Sequence, residues 1–229
     1  RSHTRLLDRL PPVSTLGPFI ALIVASLFFA SQSDRFLSGQ NFSLILQQVM
    51  IVGVIALGQT LIVLTAGIDL SCGMVMALGS VVMSKFAVDL GINPYVAVGC
   101  GIAVCTAIGA LNGALVTRIK LPAFIVTLGT MNIAFALTQI YSGAQTVTDV
   151  PDSMMFFGNT FQLGQTAITY GTVLMIGLYI LTWLFLRDTA PGRHVYAVGN
   201  NPESARLTGI ATGKVMLGVY MAAGLFYGI

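Results

Sequence analysis

The chain has 229 residues, of which 55% are hydrophobic and only 8% charged, with a formal net charge of +3. Soluble domains carry about 25% charged residues, so the composition excludes a water-exposed globule, and the mean hydropathy of +0.86 agrees. The basic residues are scattered singly, with no basic face interleaved with aromatics, which excludes a nucleic-acid partner.

In chain order, residues 1–12 form a polar tail with Arg1, Arg5 and Arg9. Seven apolar runs follow, at 13–30, 44–66, 71–88, 94–116, 122–141, 168–186 and 215–229. Each is near the roughly 17 to 25 residues that a spanning helix needs. The runs lack period-two alternation, and helices satisfy every backbone polar group internally, so helices are favoured over barrel strands. The predicted fold is an all-α polytopic transmembrane bundle over 13–229, with about seven spans. Run 13–30 is too long for a signal-peptide core, and Ser31-Gln32-Ser33-Asp34 is a poor cleavage site, so it is read as a retained first span. The first residue is not methionine and Ile229 interrupts an apolar run, so the chain is expected to lack part of its natural sequence at both ends.

With residues 1–12 inside, the inner loops also collect Arg118, Lys120, Arg187, Arg193, Arg206 and Lys214, against Arg35 and Lys85 outside. This positive-inside bias predicts a cytoplasmic N-terminus. Tyr95, Tyr141 and Tyr170 fall at outer span ends and Trp183 near an inner one, as amphipathic rings prefer. In the fourth span Gly101, Cys105, Gly109 and Gly113 recur every four residues, predicting a smooth face for close backbone approach. Gly73 and Ala77 are expected to repeat this weakly in the third.

The spans offer little for catalysis. His3 lies in the tail and His194 in a loop, and there is no Walker loop, HExxH, Ser/His/Asp order or pair of carboxylates within one span. No catalytic or metal site is expected, and Cys72, Cys100 and Cys105 read as small buried hydrophobes. Neutral polar side chains do recur within spans: Gln47, Gln48, Gln59, Thr60, Asn112, Thr127, Thr130, Asn132, Thr138 and Gln139. Such groups either join helices or line a wet route. As a set they suit a neutral, hydroxyl-rich solute, with Gln59, Thr60, Asn112, Thr127, Asn132 and Gln139 as candidate pathway residues. Asp69 is the one carboxylate near a span interior. It could relay protons, but Asp69 or Ser71 is expected to cap the third helix at the cytoplasmic boundary.

The polar loop 187–214 carries a short helix of its own. Asn201 is the N-cap, Pro202 the first position, Glu203 lies in the first turn, and Gly209 follows Ser204-Ala205-Arg206-Leu207 as the stop. About two turns are marginal alone in water, so the helix must be held by the membrane domain or by a partner.

Three blocks then carry a family likeness: Gly58-Gln59-Thr60-Leu61-Ile62-Val63-Leu64-Thr65-Ala66-Gly67-Ile68-Asp69-Leu70-Ser71, Leu121-Pro122-Ala123-Phe124-Ile125-Val126-Thr127-Leu128-Gly129, and the stretch from Gly192-Arg193-His194 through Asn200-Asn201-Pro202-Glu203 to Gly209-Ile210. Together they resemble the permease subunit of bacterial ABC importers for monosaccharides, the ribose and fructose type. Cys72 departs from the valine usual after Asp-Leu-Ser.

The resemblance implies an inner-membrane location, a second permease copy and a periplasmic sugar-binding protein. It also implies a cytoplasmic ATPase subunit that holds ATP-Mg, this chain having no cofactor and no enzymatic activity of its own. Asn201, Pro202, Glu203, Ala205, Arg206, Leu207 and Gly209 look like the coupling helix that docks on that ATPase. The alternatives are an ion-coupled secondary transporter of a small neutral solute, which would use Asp69, and a membrane-embedded enzyme.

Overall fold

The computed structural model describes residues 13–164 and 166–229. The expected cytoplasmic tail 1–12, with its arginines and His3, lies outside the described residues. Helices occupy the apolar runs: α1 Val13–Gln32, α2 Gly39–Leu64, α3 Cys72–Val88, α4 Pro94–Thr117, α5 Ala123–Ser142, α6 Tyr170–Asp188 and α9 Thr212–Gly228. Two more, α7 Ala190–Asn200 and α8 Pro202–Leu207, fill the polar loop between α6 and α9. Among the described residues, α2, α4, α5 and α6 are long and apolar enough to cross a membrane, and α3 is a shorter apolar helix. The chain is a multi-pass, all-α membrane protein.

Local chemistry sets the ends of these helices. The Ser38 hydroxyl accepts the Asn41 N–H at the start of α2, and the Asn93 side chain accepts that of Tyr95 where Pro94 opens α4. Gly143 closes α5 at φ +66°, a conformation a side chain resists. The sequence reading erred at the start of the sixth segment. Ile168 lies in strand β2 (Thr166–Thr169), which pairs antiparallel with β1 (Thr160–Leu163) after a 3₁₀ turn at Asp152–Gly158. The Ser43 hydroxyl accepts the Ala167 N–H at 2.8 Å, fixing this hairpin to the start of α2. Phe156 stacks on Tyr170 with ring centroids 4.9 Å apart. Hairpin and 3₁₀ turn cover one end of the bundle; α7 and α8 cover the other.

The centre of the bundle is a seam between α4 and α9. A Cβ on Gly109 would run into the Tyr220 carbonyl, and one on Gly224 into that of Cys105; one on Gly228 would meet the Ile102 Cα at 2.8 Å. Small residues on both helices therefore let two backbones touch, as the four-residue spacing in α4 predicts. Further along, the same stripe turns to α3, where Gly79 meets the Cys105 sulfur and Gly101 meets Met83. The expectation for α3 itself is corrected: Gly73 faces open space, and Gly79 makes the close approach. Cys105 is fully buried, but Cys72 and Cys100 are only half-buried.

Candidate functional site

Between α2 and α3 the chain leaves helical geometry for seven residues, Thr65 to Ser71. Helix α2 ends in paired terminal bonds, Ala66 N–H to the Val63 carbonyl and Gly67 N–H to that of Ile62, the arrangement that closes a helix through one left-handed residue. That residue is Ala66 at φ +56°, not the neighbouring glycine. A methyl-bearing residue here costs about 1–2 kcal/mol, so its surroundings must impose the conformation.

Those surroundings are polar and internal. Asp69 is 6% exposed. Its Oδ1 accepts the Ser71 N–H at 2.7 Å and the Ser71 hydroxyl at 2.6 Å, and its Oδ2 accepts the Tyr227 hydroxyl at 3.2 Å. Gln59 Nε2 donates to the Asp69 carbonyl at 2.6 Å, Leu70 N–H donates to Thr127 Oγ1 at 3.2 Å, and the Tyr220 hydroxyl donates to the Ile68 carbonyl at 3.4 Å. From Ser71 the chain of bonds runs on: Asn112 Nδ2 donates to its hydroxyl at 3.1 Å, and Thr130 Oγ1 donates to Asn112 Oδ1 at 2.5 Å. One break thus ties together α2, α3, α4, α5 and α9. Irregular backbone at membrane depth is tolerated where protein satisfies it, and hydrogen bonds to a charged group contribute roughly 1.5–3 kcal/mol each.

The break is set back from the helix ends. Its partners Asn112, Thr130 and Tyr220 lie five to eight residues inside the α8 ends of their helices, about 8–12 Å at 1.5 Å per residue. Ser71 occupies the N-cap position of α3, yet its side chain makes no capping bond; its hydroxyl is taken by Asp69 and Asn112 instead.

The six polar pathway candidates divide. Gln59, Asn112 and Thr127 belong to the hydrogen-bonded knot, with Asn112 and Thr127 fully buried. Thr60, Asn132 and Gln139 are exposed, the first two with side chains bonded to their own helices, to Ala56 and Leu128 carbonyls. Tyr220 and Tyr227, absent from the candidates, could have been found: they are seven residues apart in an apolar segment, so both hydroxyls share a helix face and need partners. A separate cleft of about 350 Å³ between α2, α3, α6 and α9 is walled mostly by Met50, Val54, Met76, Met83 and Phe226, a lining that offers few groups to a polar solute. Among the described residues no three His, Cys, Asp or Glu side chains gather as metal ligands.

At the α8 end, the loop holds two helices rather than one. Thr189 caps α7, its hydroxyl accepting the Gly192 N–H at 3.1 Å, with Pro191 in the first turn; Thr-Ala-Pro was the overlooked signal. Asn201 ends α7 and caps α8, its Oδ1 accepting the Ser204 N–H at 2.9 Å. Glu203 and Arg206 are exposed and pair at 2.7 Å, and the carboxylate raises the guanidinium pKa further. Ala205 is buried, Leu207 is exposed, and Gly209 turns the chain at φ +89°. Pro202 opens the helix.

Residues 41–229 match the model of a family described as branched-chain amino acid transport system / permease component. The chain is 42% identical to the fructose import permease protein of Rhizobium meliloti over 91% of its own length and 59% of the relative's. For the ribose import permease protein of Bacillus subtilis the identity is 34%, over 92% and 65%. For the galactose/methyl galactoside import permease protein of Escherichia coli K12 it is 30%, over 92% and 67%. The chain therefore spans about three fifths to two thirds of these relatives. No solved structure matches.

Proposed function

Because the chain belongs to the family of branched-chain amino acid transport system permease components, we propose that it acts as the permease subunit of an ATP-driven ABC importer that passes a monosaccharide across a bacterial inner membrane. The relatives named for fructose, ribose and galactose import support a small sugar as the solute. In this reading the α8 end is cytoplasmic, since Arg118, Lys120, Arg187, Arg193, Arg206 and Lys214 cluster there against only Arg35 and Lys85 at the hairpin end. Seven helices cross, with residues 1–12 inside.

The observation that carries the proposal is α8 itself. A six-residue helix is marginal alone in water, and with Ala205 buried beneath it, its exposed ion pair and exposed Leu207 (77%) face outward as a surface for a partner. Asn201, Pro202, Glu203, Ala205, Arg206, Leu207 and Gly209 form the segment that a separate cytoplasmic ATPase, carrying ATP-Mg, takes hold of. A periplasmic sugar-binding protein delivers solute at the hairpin end, and a second copy of the permease completes the pathway.

Asn132 and Gln139 lie seven residues apart on one exposed face of α5, with open space at Gly129 three residues before Asn132. Amides facing hydrocarbon are costly, so this face and Thr60 on α2 line the route between the two copies, with weak and numerous contacts to sugar hydroxyls. Uptake by proteoliposomes containing permease, ATPase and binding protein tests the proposal: sugar should accumulate only with ATP, and accumulation driven by an ion gradient without the ATPase would overturn it. An ion-coupled carrier centred on Asp69 is the weaker reading, because the Asp69 carboxylate is already occupied by Ser71 and Tyr227.

A further inference from the structure

We propose that Gly199 is the contact through which α8 moves the Thr65–Ser71 break, so that α7 and α8 act together as one lever on the buried knot around Asp69. The proposal rests on the permease reading above and deepens it by naming the positioning residue that links the gripped segment to the membrane interior.

Three observations carry it. First, α7 and α8 are joined through one residue. Asn201 is both the C-cap of α7 and the N-cap of α8, so a displacement of α8 reaches α7 through that single junction. Second, α7 is seated by two glycines on one face. Gly192 and Gly199 are seven residues apart, within about 20° of the same direction on a helix of 3.6 residues per turn. A Cβ on Gly192 would strike the Phe185 carbonyl at the end of α6, and a Cβ on Gly199 would strike the Leu64 carbonyl at the end of α2. Val195 and Val198, on the same side, are 4% and 0% exposed. The helix is wedged between two helix ends, with backbone against backbone at both.

Third, what Gly199 touches is the start of the break. Leu64 is the last residue of α2, and Thr65 Cα lies 3.4 Å from the position of a Gly199 Cβ. The next residue, Ala66, holds the left-handed conformation, and Asp69 follows three residues on. Interfaces of this closeness do not deform gradually, and a push at one side is taken up by displacement at the other. Beyond that contact the break is held by side-chain hydrogen bonds, which can exchange partners. Gly199 touches no solute; it positions the segment that does the switching.

Cys72, the residue after Ser71, is half-buried and serves as a native reporter of the break, while Cys100 in α4 serves as an internal control. The test is N-ethylmaleimide labelling of the full permease with its ATPase in nanodiscs, read peptide by peptide by mass spectrometry. Between nucleotide-free and ATP-vanadate states the Cys72 rate should change by about fivefold or more, with Cys100 within about twofold. Gly199→Ala, which forces α7 away from Leu64, should keep the ATPase bound and hydrolysing, abolish the Cys72 response and lower the sugar moved per ATP. Gly73→Ala, with open space at its Cβ, should behave as wild type.

A wild-type Cys72 rate indifferent to nucleotide while the ATPase turns over overturns the proposal, whether or not Gly199→Ala inserts. So does a Gly199→Ala protein that retains the response. An ATPase that never binds the permease overturns the underlying reading, and the lever with it.

Discussion

The α4–α9 seam and the Thr65–Ser71 break lie side by side in the bundle and are held by opposite means. At the seam Gly109, Gly224 and Gly228 bring backbones into contact, and nothing but shape is involved. At the break Asp69, Ser71, Tyr227, Asn112 and Thr130 join through side-chain hydrogen bonds. Shape-locked contacts have one good arrangement and lose heavily when disturbed. A hydrogen-bonded knot can trade partners at modest cost as long as every buried group stays paired. A permease of the proposed kind needs both, a fixed axis and a part that moves against it.

The largest effect should come from the seam. Gly109→Val drives a branched side chain into the Tyr220 carbonyl and should cost about 3 kcal/mol or more, seen as loss of the monodisperse peak in detergent size exclusion. Gly73→Val, into open space, should leave that peak intact; equal damage by both would end the contrast. At the break, Asp69→Ala strands the Ser71 and Tyr227 donors and should cost about 2–4 kcal/mol. Asp69→Asn keeps the shape and an acceptor oxygen and should cost less, about 1–2 kcal/mol. Denaturant unfolding in micelles ranks the two, and a reversed order would overturn the bonding account of the break.

Tyr227→Phe removes one bond to the carboxylate and should cost about 1–2 kcal/mol in the same assay. Smaller still is Asn201→Ala, worth about 1 kcal/mol to the local helices. Faster amide exchange should appear across 203–208 with bundle stability unchanged. Glu203→Arg should alter stability by less than about 0.5 kcal/mol and, on the proposed docking role of α8, reduce copurification of the ATPase, because an exposed ion pair contributes hardly at all to folding.

The close-packed stripe was legible in the sequence because four small residues at a spacing of four line one helix face, although not that α9 and α3 would share it. The helix at Asn201 was legible for the same reason, each terminal position carrying its preferred residue type. The break was not. Gly67 invites the left-handed turn that Ala66 in fact makes, and Asp69 followed by Ser71 reads as an ordinary cap until Tyr227, far along the chain, supplies a partner. Only tertiary placement separates Asn112, buried and bonded, from Asn132, exposed on its helix; in the sequence each is an amide in an apolar run. The hairpin escaped notice because Ile168 and Tyr170 sit close before the apolar stretch from Val173, although Thr166 to Thr169 is rich in β-branched residues.

The α4–α9 seam also dictates a schedule. Gly109 leaves the ribosome roughly a hundred residues before Tyr220, an interval of about 5–20 s at ordinary rates of synthesis. Through that interval the smooth face of α4 has α3 for company but not its main neighbour, and acyl chains must fill the vacant groove. Closing the seam is therefore the expulsion of lipid by a later-arriving helix.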